Sequence, residues 1–280
     1  MVTPPRRSPL PYNQCVPSPT LSEDKRDSVD VVLVSPRNPL NIGAAARAMA
    51  NFGLSRLTVV APYAPMWREA RSAVGAPELL LDAKESATLA EAVAHSTLVL
   101  GTGTLNSRKP GLPVVSLPDL PPLVAAELER GGRVSLVFGS EKHGLTREDF
   151  SFCHFVVQIP TSPGQPSMNL GQAVAVCLYE LATRAFKPIG TSAAGQSSPS
   201  ASSSPAVPSG LIDRLAALIE ETMQAAGYSP RGMQAANRHD LRLILRRLQL
   251  SPHDTRRSLG LFRRILWRLR RSPQPRIPSK

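Results

Sequence analysis

Between residues 29 and 187 the chain alternates short β-branched runs with stretches of helical spacing, and Gly, Pro, Asn or Ser marks the boundaries. Val29-Asp-Val-Val-Leu-Val34 predicts a buried strand, Ile42–Phe52 an alanine-rich helix stopped by Gly53, and Leu57–Ala61 a second strand. A strand, a helix and a strand in that order form a βαβ unit, and such a crossover implies parallel pairing. The alternation continues with helices expected at Arg68–Ala73 and Ala87–Ala94 and a strand at Ser96–Leu100. A helix at Leu120–Arg130, strands at Val134–Phe138 and Phe155–Ile159, and a last helix at Leu170–Phe186 complete the series. This pattern predicts an α/β domain over 29–187, with a mainly parallel sheet and helices on both faces.

The flanks follow other rules. Residues 1–28 are rich in Pro and Ser, lack periodicity, and read as a disordered arm. Residues 188–210 have the Ser/Pro/Gly composition of a flexible linker. Helical spacing returns over 211–271. Leu211, Leu215, Leu218, Ile219 and Met223 make one apolar stripe, and Leu241, Ile244, Leu245 and Leu248 a second. Leu259, Phe262, Ile265, Leu266 and Leu269 make a third, so a small all-helical domain is expected, followed by a disordered tail at 272–280.

Composition narrows the function classes. Aromatic residues are only 5%, so the core must be aliphatic. No apolar run approaches the roughly 18 residues that span a bilayer, and the N-terminal prolines interrupt any secretory signal. Three cysteines without CxxC spacing suggest neither a disulfide framework nor a metal site, and a cytoplasmic setting is expected. The net charge of +12 is concentrated at one end: residues 209–280 carry 15 basic and five acidic side chains. A near-neutral body with a basic helical end points to a polyanion, and nucleic acid suits packed helices better than a lipid surface does.

Candidate chemistry lies where strands run into polar loops. Gly101-Thr-Gly-Thr104 follows a strand but has Asn106 where a dinucleotide fingerprint needs its third glycine, so a nicotinamide site is disfavoured. Leu136-Val-Phe-Gly-Ser-Glu-Lys-His-Gly-Leu145 places Glu141 and His143 in a glycine turn. They could serve as an acid–base pair, or Glu141 could fix the loop by accepting backbone hydrogen bonds; no third ligand supports a metal. Arg47 has small neighbours at Gly43, Ala44 and Ala50, which leaves room for another molecule near its guanidinium, although a solvated helix arginine is equally compatible. Cys153 and Cys177 sit among apolar residues and read as inert buried thiols.

Three motifs carry a family resemblance: Asn38-Pro-Leu-Asn-Ile-Gly-Ala-Ala-Ala-Arg-Ala-Met49, Leu136–Leu145, and Ile159 through Ser167-Met-Asn-Leu-Gly-Gln-Ala173. In this order and spacing they resemble the SpoU/TrmH-type RNA ribose 2′-O-methyltransferases of the SPOUT superfamily, over about residues 29–187. The basic helical end resembles that of the TrmJ-like subgroup, which methylates nucleotide 32 of the tRNA anticodon loop. The resemblance implies a deep trefoil knot, a homodimer that builds each active site, and S-adenosylmethionine as methyl donor. By position, Thr102, Gly103, Thr104, Gly139, Ile159, Pro166, Ser167 and Met168 would hold that donor. Asn41, Arg47, Glu141, Ser167 and Asn169 would serve substrate and catalysis. Pro166 and Met168 depart from the commoner residues at their positions, which a backbone contact tolerates except where an N–H is required. Arg47 would act either as the base or, given a guanidinium pKa above about 12, as a clamp on an RNA phosphate.

Overall fold

The computed structural model describes residues 21, 23–103, 111–184, 207–228 and 232–271. Thr104, residues 188–206 of the expected linker, nearly all of the expected N-terminal arm and the tail from 272 lie outside them. Seven strands form one sheet: β1 (Val29–Val34), β2 (Leu57–Val60), β3 (Lys84–Ser86), β4 (Leu98–Thr102), β5 (Val114–Ser116), β6 (Val134–Phe138) and β7 (Phe155–Gln158). Their order is β3-β2-β1-β6-β4-β7-β5, and every pair is parallel.

The strand sequences explain where the sheet is covered. Every residue of β1 and β6 is buried, as their near-continuous aliphatic runs require when both faces are packed. The short helices α1 (Glu23–Arg26) and α3 (Pro77–Leu81) precede β1 and β3. On one face lie α2 (Pro39–Asn51), α5 (Leu120–Glu129) and α7 (Leu170–Arg184), through Ile42, Met49, Val124, Val174 and Leu178. On the other lie α4 (Leu89–Ala92) and the segment Leu145–Cys153, which includes the short helix α6 (Arg147–Phe150).

Several boundaries differ from expectation, each for a local reason. Helix α2 starts at Pro39, three residues before the apolar spacing begins, because Asn38 accepts the Leu40 N–H at 2.9 Å and Pro39 needs no partner at the first helical position. The helix expected at Arg68–Ala73 is only a single 3₁₀ turn, Trp67–Glu69. Trp67 is fully buried there, and the Ser72 hydroxyl donates to the Leu40 carbonyl at 2.7 Å, so contacts with α2 override the local preference. Strand β4 is shifted two residues onward from Ser96–Leu100, since Ser96 and Thr97 bond Ser135 and the Arg133 carbonyl instead of extending the strand. The edge strands β3 and β5 are three residues each and carry no alternation to betray them.

Three more helices follow: α8 (Ser209–Ala225), α9 (Gln234–Arg247) and α10 (Pro252–Arg271), around Ile212, Leu215, Leu245 and Leu259. They also pack on the sheet domain. The Ser209 N–H donates to the Ser96 carbonyl at 2.8 Å and the Gly210 N–H to the Ala94 carbonyl at 2.9 Å. The second apolar stripe is corrected here. Ile244 and Leu248 are 45% and 58% exposed, while α9 buries Leu243, Leu245 and Arg246. The helix is wedged between two bodies: Leu245 faces the helical core, and Leu243 joins the apolar cluster beneath the sheet.

Candidate functional site

Strands β4, β6 and β7 end side by side, and in open parallel sheets the carboxyl ends of strands are where ligands collect. Strand β6 runs into Gly139, where a Cβ would lie 2.0 Å from the Gly144 carbonyl carbon and 2.1 Å from the Leu145 nitrogen. Only glycine lets the loop fold back this tightly. The Gly144 N–H closes the turn on the Ser140 carbonyl at 2.8 Å, with Gly144 at φ 65°. Thr146 and Asp149 then cap each other's backbone and start α6. At the end of β4 the Thr102 hydroxyl donates to the Val137 carbonyl at 3.1 Å, and the Gly103 N–H to the Val157 carbonyl at 3.2 Å. After β7 the loop is tied across itself by the Thr161 hydroxyl on the Pro166 carbonyl at 3.2 Å.

These loops enclose a cleft of about 280 Å³. Thr102, Gly103, Gly139, Ile159, Pro166, Ser167 and Met168 all line it, so every expected donor-holding residue within the described chain is brought to one place. Its apolar wall comes from Phe138, Leu145, Phe150, Leu170 and Ala173. Sequence reasoning missed this wall, because nothing in the local pattern says that Phe150 reaches across to within contact of Gly103. His143 is exposed at the rim and Lys142 lies beside it.

Glu141 belongs to the rim but points its carboxylate at the first motif. It accepts the Arg37 N–H at 2.8 Å, the Asn38 N–H at 3.0 Å and the Asn41 side-chain amide at 2.8 Å. Partial burial pushes its pKa up, but these hydrogen bonds outweigh burial and hold the carboxyl below its ordinary range. Asn41 passes the connection on: its carbonyl oxygen accepts from the Asn169 amide at 2.8 Å. Asn169 in turn caps α7, its oxygen accepting the Gly171 N–H at 2.9 Å and the Gln172 N–H at 3.3 Å. Glu141, Asn41 and Asn169 therefore form one strut that locks the three motifs together.

Arg47 stands apart from this strut. It lies six residues beyond Asn41 on α2, about 9 Å along the axis and on another face. It is exposed, makes no ion pair among the described residues, and does not line the cleft of its own chain. Its stripe runs through Leu40, Ala44 and Asn51; α7 packs beside α2, with Gly171 close to Ala44 and the 55%-exposed Tyr179 edge-on to Phe52 at 6.3 Å. Cys153 and Cys177 are buried, and burial pushes both thiols up to about 12, so neither supplies a nucleophile. Among the described residues no group of three His, Cys, Asp or Glu side chains could hold a metal ion.

Comparison with known proteins agrees with this geometry. The model of the SpoU rRNA Methylase family matches residues 28–179. A Pseudomonas aeruginosa protein named tRNA (cytidine/uridine/adenosine-2′-O-)-methyltransferase TrmJ is 42% identical over 156 residues, 55% of this chain and 60% of that protein. The Pectobacterium atrosepticum protein named tRNA (cytidine/uridine-2′-O-)-methyltransferase TrmJ is 31% identical over 241 residues, 86% of this chain and 95% of that one. The crystal structure of TrmJ from Z. mobilis superimposes with a TM-score of 0.70 at 29% identity, over 84% of this chain and 98% of that one. That match reaches beyond the sheet domain into the C-terminal helices. The chain belongs to the SpoU rRNA methylase family.

Proposed function

We propose that this protein is an S-adenosylmethionine-dependent methyltransferase acting on a ribose 2′-hydroxyl of tRNA, at nucleotide 32 of the anticodon loop, in the cytoplasm. The observation that carries the reading is the cleft at the ends of β4, β6 and β7, whose β6 and β7 loops are tied to the start of α2 by Glu141, Asn41 and Asn169. The tRNA substrate follows the names of the relatives, and nucleotide 32 follows the family resemblance.

The cleft suits the methyl donor. Backbone groups at Gly103, Gly139 and Ile159 can bond a purine and ribose, while Phe138, Leu145 and Phe150 offer an apolar wall for flat or aliphatic parts. The donor's sulfonium supplies an already activated methyl group. The chain's own task is to position the ribose and help its poorly acidic hydroxyl lose a proton. Asn41 and Asn169 are committed to the strut and act by positioning. Ser167, exposed at the cleft, is available to the substrate.

Arg47 is the substrate-side cation, acting as a phosphate clamp because a guanidinium is a poor base. Since it lies off its own chain's cleft, it serves a homodimer in which α2 and α7 of two copies meet. Leu40 on α2 and Tyr179 on α7, both exposed, are the apolar contacts for that interface.

The test offers purified protein a labelled methyl donor with tRNA and with rRNA. Label in tRNA, and its loss in Arg47→Ala at saturating RNA, is expected; label only in rRNA would overturn the substrate assignment. Light scattering should give the mass of a dimer. Ribose-methylation mapping of tRNA from a strain lacking the gene should lose nucleotide 32, and an unchanged profile there would refute that assignment.

A further inference from the structure

We infer that the outer face of α10 is a stacking platform for an unpaired RNA base, with Trp267 as the stacking ring and the flanking arginines as phosphate contacts. This rests on the RNA reading above and adds a binding site distant in sequence from the cleft.

The face is read directly from spacing and exposure. Thr255, Leu259 and Leu266 are buried, and α10 packs along α8. Arg256, Gly260, Arg263, Trp267 and Arg271 recur every three or four residues on a different side, and all are exposed. Arg264 and Arg270 border the same row, and Arg270 is already paired with Glu221. Arg256, Arg263 and Arg264 take part in no ion pair among the described residues. The only acid of the helix, Asp254, lies in its first turn.

Trp267 is the odd member of this row. It is 47% exposed in a chain whose other tryptophan, Trp67, is fully buried. The Arg271 guanidinium lies over its ring at 4.4 Å, the arrangement of a sandwich with one slice missing. An aromatic ring backed by arginine and set among unpaired cations is the chemistry that holds single-stranded nucleic acid: phosphates satisfy the charges while any base covers the ring. A lipid surface fits less well. A helix lying in a membrane interface needs its apolar face free, and here Leu259, Phe262 and Leu266 of that face are packed into the helical body, leaving Leu261 and Ile265 exposed.

The chain's two tryptophans make the test direct. Added tRNA transcript should quench the emission of full-length protein, whereas inorganic polyphosphate, a polyanion without bases, should bind without quenching. Trp267→Phe should lose the quenched component and keep most of the affinity. Trp267→Ala should weaken tRNA binding by roughly 5- to 150-fold, as expected for one base–aromatic stack, with little change in the salt dependence. Arg263→Ala and Arg264→Ala should each lower that salt slope by about 0.7.

If wild type and Trp267→Ala bind and methylate tRNA alike and emission does not change, the platform is refuted while the enzyme reading stands. If wild type binds no RNA at all, both fail. A blue shift with anionic vesicles but none with tRNA would refute the platform in favour of lipid. A shift that depends on protein concentration alone would refute it in favour of a second copy covering the ring.

Discussion

Removing the Glu141 carboxylate should damage the architecture of the cleft before it damages any chemistry. Its three hydrogen bonds join residues 37, 38 and 41 to a loop a hundred positions later. A hydrogen bond to a charged group is worth about 1.5–3 kcal/mol, but the side chain is open to solvent, so the neutral value of about 1 kcal/mol apiece is the safer figure. Glu141→Ala should then destabilise the protein by about 2–3 kcal/mol. At about 2–4 °C per kcal/mol for a chain of this class, Tm should fall by roughly 5–10 °C in calorimetry. Glu141→Gln can keep the two bonds made by one carboxylate oxygen, to the Asn38 N–H and the Asn41 amide. It then sets an amide N–H against the Arg37 N–H, so its loss should be about half as large. Calorimetric titration with S-adenosylmethionine should show weaker binding in the same order. The pH dependence has a definite sign. The carboxyl titrates below its ordinary value of 4.5 in the folded protein, so its contribution is present above that value and is lost as pH falls through the lower folded value. If both variants unfolded like wild type and bound the donor normally, yet methyl transfer disappeared, Glu141 would be a chemical participant and the strut would be wrong.

Gly139→Ala would put a methyl group into the backbone of Gly144 and Leu145, so donor binding should be lost in titration calorimetry while far-ultraviolet dichroism stays close to wild type. Arg246, buried and paired with Asp213 at 2.8 Å, ties α9 to α8, and its guanidinium also lies 5.7 Å from the Phe152 ring of the sheet domain. Arg246→Met should cost roughly 3 kcal/mol in urea unfolding by stranding the aspartate, and adding Asp213→Leu should recover most of it. Cys153 and Cys177, with thiols raised to about 12, should resist thiol reagents at pH 8 in native protein, and peptide mapping should find both labelled only after unfolding.

The parallel sheet and its three central strands were legible because β1, β4 and β6 are buried runs of Val and Leu, a signal that needs no context. The third motif was legible as a loop through its Gly and Pro content. The 3₁₀ turn at Trp67 was not, because the contacts of Trp67 and Ser72 with distant parts of the chain outweigh local preference there. The exposed Ile244 and Leu248 were misplaced for the opposite reason: helical spacing finds an apolar stripe but not a second body competing for the helix. In the site, the family resemblance reached Gly139 and Asn169 individually. The hydrogen bonds that make Glu141, Asn41 and Asn169 one unit connect positions a hundred or more residues apart, and no local pattern encodes them. Phe150 entered the cleft wall for the same reason.

Delivery of a methyl group from the cleft to a ribose oxygen of tRNA can be followed directly. Purified protein should be incubated with tRNA transcript and S-adenosylmethionine carrying a heavy-isotope methyl group, and the RNA digested to nucleosides for mass spectrometry. The label should appear on a 2′-O-methylated nucleoside, with the mass in the sugar fragment, and should be absent with Gly139→Ala. Label in the base fragment, or no label in tRNA with protein shown to bind the donor, would contradict that delivery.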